Sequence, residues 1–173
     1  DLDGHLAYPG LLTQEAQETL SEALAHIHSL DKVDGHEPNR FAAEYNPYLE
    51  SLINHPQMLE LVHQVLGDNI RYDHCVTLNR PGGNGGIYWH SHSYSEGDPR
   101  LGFIRIFFYV NGFEVDDGGL KVVPGSHLFR DVSIHAASDS EFENGWMQDK
   151  QHPITGQPLV IEALSVPAGT VIL

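Results

Sequence analysis

His90 and His92 stand one residue apart in Gly85-Gly86-Ile87-Tyr88-Trp89-His90-Ser91-His92-Ser93-Tyr94. Side chains of a β-strand alternate between faces with period two, so on a strand both imidazoles project to one side and reach one metal ion. Imidazole suits iron, zinc, copper and nickel alike, so the pair by itself does not choose the metal. The same spacing also arises by accident in a chain with 12 histidines, which leaves an incidental pair open beside a metal site. His74, His127, His135 and His152 are third ligands by residue type alone. His127 lies in the turn Pro124-Gly125-Ser126-His127, where an imidazole can equally brace the backbone. His26, His28, His55 and His63 fall on or beside helical segments and read as structural or exposed.

The histidine pair needs a frame to hold it. It follows Pro81-Gly82-Gly83-Asn84-Gly85-Gly86, a turn that fits neither helix nor strand interior. Beyond it, 101–110 reads as a strand with two unlike faces. Gly102, Ile104, Ile106, Phe108 and Val110 make an aliphatic face, expected to pack against helices. Leu101, Phe103, Arg105, Phe107 and Tyr109 make an aromatic face with one guanidinium in it. A buried guanidinium needs an anion or several acceptors. Arg105 therefore either meets a carboxylate of a substrate or cosubstrate, or pairs with one of the protein's own acids.

Further strands are expected over 70–80, 120–123, 159–164 and 170–173, with turns at Asp116-Asp117-Gly118-Gly119 and Val166-Pro167-Ala168-Gly169. The first third is helical in pattern. Ala16, Leu20, Ala23, Leu24 and Ile27 form a stripe behind Thr13 as N-cap. A short helix is expected over 47–54. A third opens at Pro56, with Met58, Leu61, Val62, Val65 and Leu66 on one face, and stops at Gly67. Residues 131–157 are polar around an isolated Trp146 and read as a long loop or lid. The sum is an all-β core, an antiparallel sandwich or barrel, with N-terminal helices packed outside. It makes a single domain over 1–173, helical over 1–69 and β over 70–173.

Composition narrows the partners. Nine basic against 24 acidic residues give a formal charge of −15, which argues against binding nucleic acid or an anionic membrane through a general field. No apolar run approaches the ~20 residues that span a bilayer. Cys75 is the single cysteine, so a disulfide framework is excluded and a cytoplasmic setting is expected. A small molecule is the expected partner.

Several segments together resemble the phytanoyl-CoA dioxygenase family. They are Gly4-His5-Leu6-Ala7-Tyr8-Pro9-Gly10-Leu11-Leu12-Thr13, the stretch from His55-Pro56 to Leu66-Gly67, and Leu78-Asn79-Arg80-Pro81-Gly82. Trp89-His90-Ser91-His92 resembles the family's Trp-His-x-Asp segment. The most specific likeness is Asp117-Gly118-Gly119-Leu120-Lys121-Val122-Val123-Pro124-Gly125-Ser126-His127, which resembles its run ending in Pro-Gly-Ser-His. The resemblance implies a double-stranded β-helix, a jelly-roll barrel. It implies Fe(II) held by His-x-Asp and a distal His, with 2-oxoglutarate and O₂ used to hydroxylate a small organic substrate. Carried onto this sequence, His90 and His92 are metal ligands. Phe107 matches an aromatic position lining the cosubstrate pocket, and Asn79 lies on the strand flanking it. Tyr94 and Arg105 are candidate contacts to substrate or cosubstrate, and 131–157 would be the lid.

Two departures qualify what is implied. His92 stands where the family has aspartate, which removes one negative charge from the site. Glu96 or Asp98 would be substitutes for that carboxylate. The change leaves open a three-histidine, cupin-type dioxygenase independent of 2-oxoglutarate, and also a non-catalytic jelly-roll binding module. The family's distal histidine, and the arginine that grips the far carboxylate of 2-oxoglutarate, follow a strand like Val166-Pro167-Ala168-Gly169-Thr170-Val171-Ile172-Leu173. The sequence stops just before both. A longer parent protein is therefore expected, with this chain inactive alone and its last strand short of ladder partners.

Overall fold

The structure, a computed structural model, describes residues 2–83, 86–91 and 102–173. His92, Tyr94, Glu96 and Asp98 lie outside the described residues. The chain divides into two compact units, Gly10–Gly82, and Asp1–Pro9 with Gly83–Leu173.

The first unit is helical. Gln14–Ser29 (α1) begins where expected, because Thr13 is extended and its hydroxyl accepts the Ala16 N–H at 3.2 Å. Its apolar stripe buries Leu20, Ala23 and Ile27. Pro47–Ile53 (α2) is capped by Asn46, whose side-chain oxygen accepts from the N–H groups of Tyr48 and Leu49 at 3.0 and 3.1 Å. Pro56–Leu66 (α3) ends on Gly67, which takes φ +82° and returns its N–H to the His63 carbonyl at 2.9 Å. Between α1 and α2, two 3₁₀ turns, Pro38–Arg40 and Ala42–Glu44, bury Pro38, Ala42 and Ala43.

The strand expected over 70–80 is not one. Its described backbone is tied to the two turns by Ala42 N–H to Cys75 O at 2.9 Å and Thr77 N–H to Asn39 O at 2.8 Å. A 3₁₀ turn presents too few aligned groups for a ladder, so among the described residues this stretch has no strand partner. Tyr72, Val76 and Leu78 are exposed as a result.

The second unit carries all seven described strands. In chain order they are Ala7–Tyr8 (β1), Trp89–His90 (β2), Phe107–Tyr109 (β3), Lys121–Val122 (β4), His135–Ala136 (β5), Glu162–Ala163 (β6) and Thr170–Ile172 (β7). They form three small antiparallel sheets, ordered β1-β7-β3, β2-β5 and β4-β6. Of the strand expected over 101–110, only β3 pairs. The described residues are thus a mixed set of helices and small antiparallel sheets.

Two expectations are overturned here. The last strand does not lack partners. β7 is central, with β1 on one edge and β3 on the other, and Leu6 and Leu173 extend the ladder through reciprocal N–H to O bonds at 3.1 and 2.9 Å. Thr170, Val171 and Ile172 are buried accordingly. Nor is 131–157 a structureless lid. It contains β5 and a short helix, Asp139–Asn144 (α4), capped by Ser138. Ala136, Phe142 and Met147 from this segment join Val123 and Leu159 in a hydrophobic core, with Trp89, Phe129, Ile134, Trp146 and Ile161 packed against it.

Candidate functional site

β2 lies antiparallel to β5 in a register that sets Trp89 opposite Ala136 and His90 opposite His135. Alternation along both strands gives the pair two faces. One face is the core side. Trp89 stacks on Phe142 with ring centroids 4.6 Å apart, and Ala136 is buried. The Trp89 indole donates its Nε1–H to Asp139 Oδ1 at 3.0 Å, while Lys121 on β4 donates to the other oxygen, Oδ2, at 2.6 Å. The Lys121 hydrogen bond, with that of Trp89 as a smaller contribution, holds the Asp139 carboxyl below its ordinary range against partial desolvation.

The stack continues inward. Phe142 lies parallel to Trp146 at 5.5 Å, and Phe129 meets Trp146 edge-on at 5.3 Å. Trp146 donates its Nε1–H to Asp131 Oδ2 at 2.8 Å, and Lys150 Nζ sits 4.8 Å above the indole. Hydrogen bonds from Ser133 first, then Trp146, hold Asp131 low. Each tryptophan is therefore fixed in orientation by one carboxylate as well as by packing.

The other face carries the imidazoles. His90 and His135 are both exposed. His90 Nδ1 lies 2.8 Å from the Tyr88 carbonyl oxygen, which can only accept, so Nδ1 is the donor. The Tyr88 ring packs 5.1 Å from the His90 ring and 4.6 Å from the His135 ring. A neutral histidine oriented by a backbone carbonyl through one nitrogen is suited to present the other to a metal. Among the described residues, no group of three or more His, Cys, Asp and Glu side chains converges as a metal site.

The remaining histidines divide by their partners. His152 has both ring nitrogens engaged: Nδ1 accepts from the N–H groups of Ile154 and Thr155 at 3.1 and 3.3 Å, and Nε2 donates to the Leu2 carbonyl at 3.0 Å. That removes it as a ligand. His127 lies against Gly4, where a Cβ would come within 2.2 Å of Nδ1, so it braces the N-terminal segment as a turn histidine can. Burial, with smaller contributions including the neighbouring His152, pushes its pKa down. His74 is hydrogen-bonded to Asp73, in the helical unit. Burial pushes the Cys75 thiol up, which leaves it protonated and a poor nucleophile or ligand.

Arg105 and Phe107 are brought together as the alternation predicts. The Arg105 guanidinium carbon lies 5.7 Å from the Phe103 ring centroid and 6.0 Å from that of Phe107. Tyr109 continues the row at 6.0 Å from Phe107, and Phe113 closes it at 4.6 Å from Tyr109. The guanidinium is half-buried against aromatic faces. This row belongs to β3 and the residues before it, a different sheet from His90. Asn79 is exposed on the 70–80 segment of the helical unit. Of the residues that fix the histidine strand, Asp139 and Phe142 belong to no motif. The one sequence signal for them was the Trp89 indole N–H, which needs an acceptor when buried.

The sequence profile of the phytanoyl-CoA dioxygenase (PhyH) family matches residues 1–173. The chain belongs to this family. Its members are oxygenases of the Fe(II)/2-oxoglutarate type. No curated protein and no solved structure matches the chain. Among the described residues, no helix is long and apolar enough to cross a membrane.

Proposed function

We propose that the chain carries the metal-binding part of a non-haem Fe(II) dioxygenase, one that hydroxylates a small organic substrate with O₂ and 2-oxoglutarate in the cytoplasm. The observation that carries this reading is the family match along the whole chain, taken with the likeness of Trp89-His90-Ser91-His92 to the family's Trp-His-x-Asp segment. The orientation of His90 by Tyr88 O supports it. In this reading the small sheets belong to a jelly-roll barrel, and His90 and His92 are iron ligands. When bound, the iron supplies an oxidant able to attack an unactivated C–H bond, and three protein ligands leave three positions open to cosubstrate and O₂.

The chain's own residues bind and orient. Arg105 offers a fixed cation to a carboxylate of 2-oxoglutarate or substrate, in a setting made poor in water by Phe103 and Phe107. Phe107 lines the cosubstrate pocket, and Tyr94 contacts substrate. Trp89, clamped by Phe142 and Asp139, keeps His90 in register.

The test is metal content and 2-oxoglutarate binding with added Fe(II), for the wild-type chain, His90→Ala and Arg105→Leu. Loss of metal in His90→Ala, with metal kept but weaker 2-oxoglutarate binding in Arg105→Leu, supports the reading. Metal content unaffected by His90→Ala overturns it.

A further inference from the structure

We infer that His135 is a metal ligand together with His90, the two forming a cross-strand bis-imidazole site for a divalent transition cation. The inference rests on the reading of His90 as a ligand and adds a residue that the family motif does not contain.

Directly opposed residues of an antiparallel pair have Cβ atoms ~4.5–5.5 Å apart and share a face. His90 and His135 are such a pair. That separation lets two imidazoles meet one cation at metal–nitrogen distances of ~2.0–2.1 Å. The two rings are also held. Tyr88 packs against both, and its carbonyl accepts from His90 Nδ1, which orients that ring. The register is pinned from behind, since a slip of one residue would carry Trp89 and Ala136 out of the core and both histidines into it. Both histidines are solvent-exposed, so a hydrated cation can reach them. The formal charge of −15 raises the local concentration of cations. An imidazole pair takes iron, nickel, copper or zinc, with Cu²⁺ and Ni²⁺ bound more tightly than Fe²⁺.

The experiment is calorimetric titration of the full chain with Ni²⁺ alone. It compares wild type, His90→Ala, His135→Ala, His135→Gln and the double variant His90→Ala/His135→Ala, whose affinity sets the background of the other ten histidines. Circular dichroism checks that each variant is folded, and His135→Gln keeps a side chain of similar length on the strand. The expected result is that each single variant loses at least about tenfold in affinity. The double variant should lose little more than either single one, because a chelate is broken by removing one arm. In the wild type, bound Ni²⁺ should broaden the ring proton resonances of both histidines.

Wild-type affinity in His135→Ala and His135→Gln, with affinity lost in His90→Ala, overturns the role of His135 and leaves the oxygenase reading standing. No loss in any variant overturns both. Loss in every variant upholds the site.

Discussion

The β2–β5 pair and the β7 strand are built on opposite plans. β7 is enclosed, with ladder partners on both edges and Thr170, Val171 and Ile172 all buried. β2 and β5 are two-faced, with Trp89 and Ala136 on the core side and His90 and His135 exposed. A strand closed on all sides gives stability and has no surface for chemistry. A strand with one wet face can present imidazoles, provided the dry face fixes where they stand. Here the dry face does so with a stack, Trp89 on Phe142 on Trp146, and with a carboxylate for each indole.

The largest effect should come from the dry face. Phe142 is 2% exposed between two indoles, and Phe142→Ala should cost about 3–5 kcal/mol in urea unfolding. It should also weaken Ni²⁺ binding even where the protein stays folded, because Trp89 loses its stacking partner. Equal affinity in the folded variant would separate the stack from the histidines. Next comes Ile172→Ala in the enclosed strand, expected to cost about 2–5 kcal/mol with Ni²⁺ affinity unchanged. A loss of affinity in the folded protein would merge the two regions that the comparison keeps apart.

Asp139→Asn should cost only about 1 kcal/mol at pH 7, since the Lys121 pair is half exposed. Its sign with pH is fixed. The native carboxyl is held low, so its contribution is complete above the ordinary value of ~3.9 and is lost as pH falls through the native one. The gap between variant and wild type in unfolding experiments should narrow as pH falls below ~3.9. His127 runs in the same direction at higher pH. Its native pKa is depressed by burial, so the folded state favours the neutral ring. Stability from this group is complete above ~6.5 and falls as pH drops through the native value. His127→Gln should flatten the dependence of the urea midpoint on pH below 6.5, and an unchanged slope would remove His127 from the account. The smallest effect belongs to the wet face, where His135→Gln should shift stability by less than about 0.5 kcal/mol.

Local signals were readable where they were local. Thr13, Asn46 and Gly67 bound the helices as their side chains and φ preferences require. The alternation around Arg105 put it among aromatic rings. What failed depended on distant partners. Residues 70–80 have strand composition, yet they face 3₁₀ turns. The 131–157 segment looked polar because α4 buries one side chain, Phe142, and Trp146 satisfies its N–H on Asp131. His135 was one of four histidines equivalent by type. Only the register of β5 against β2 distinguishes it, and register between strands so far apart leaves no mark on either segment. His92 and Tyr94, central to the motif, lie outside the described residues.

The pairing of Ala7 with Ile172 has a consequence for synthesis. The helical unit is made of neighbours in sequence and can fold as it leaves the ribosome. The sheet around β7 cannot. Its first strand, β1, must stay unpaired until β7, far along the chain, has been translated. Closing so long a loop is slow, and until it closes the edge of β7 that β1 will cover is open to other chains. In a nascent or heated population, that edge is where wrong partners would add first.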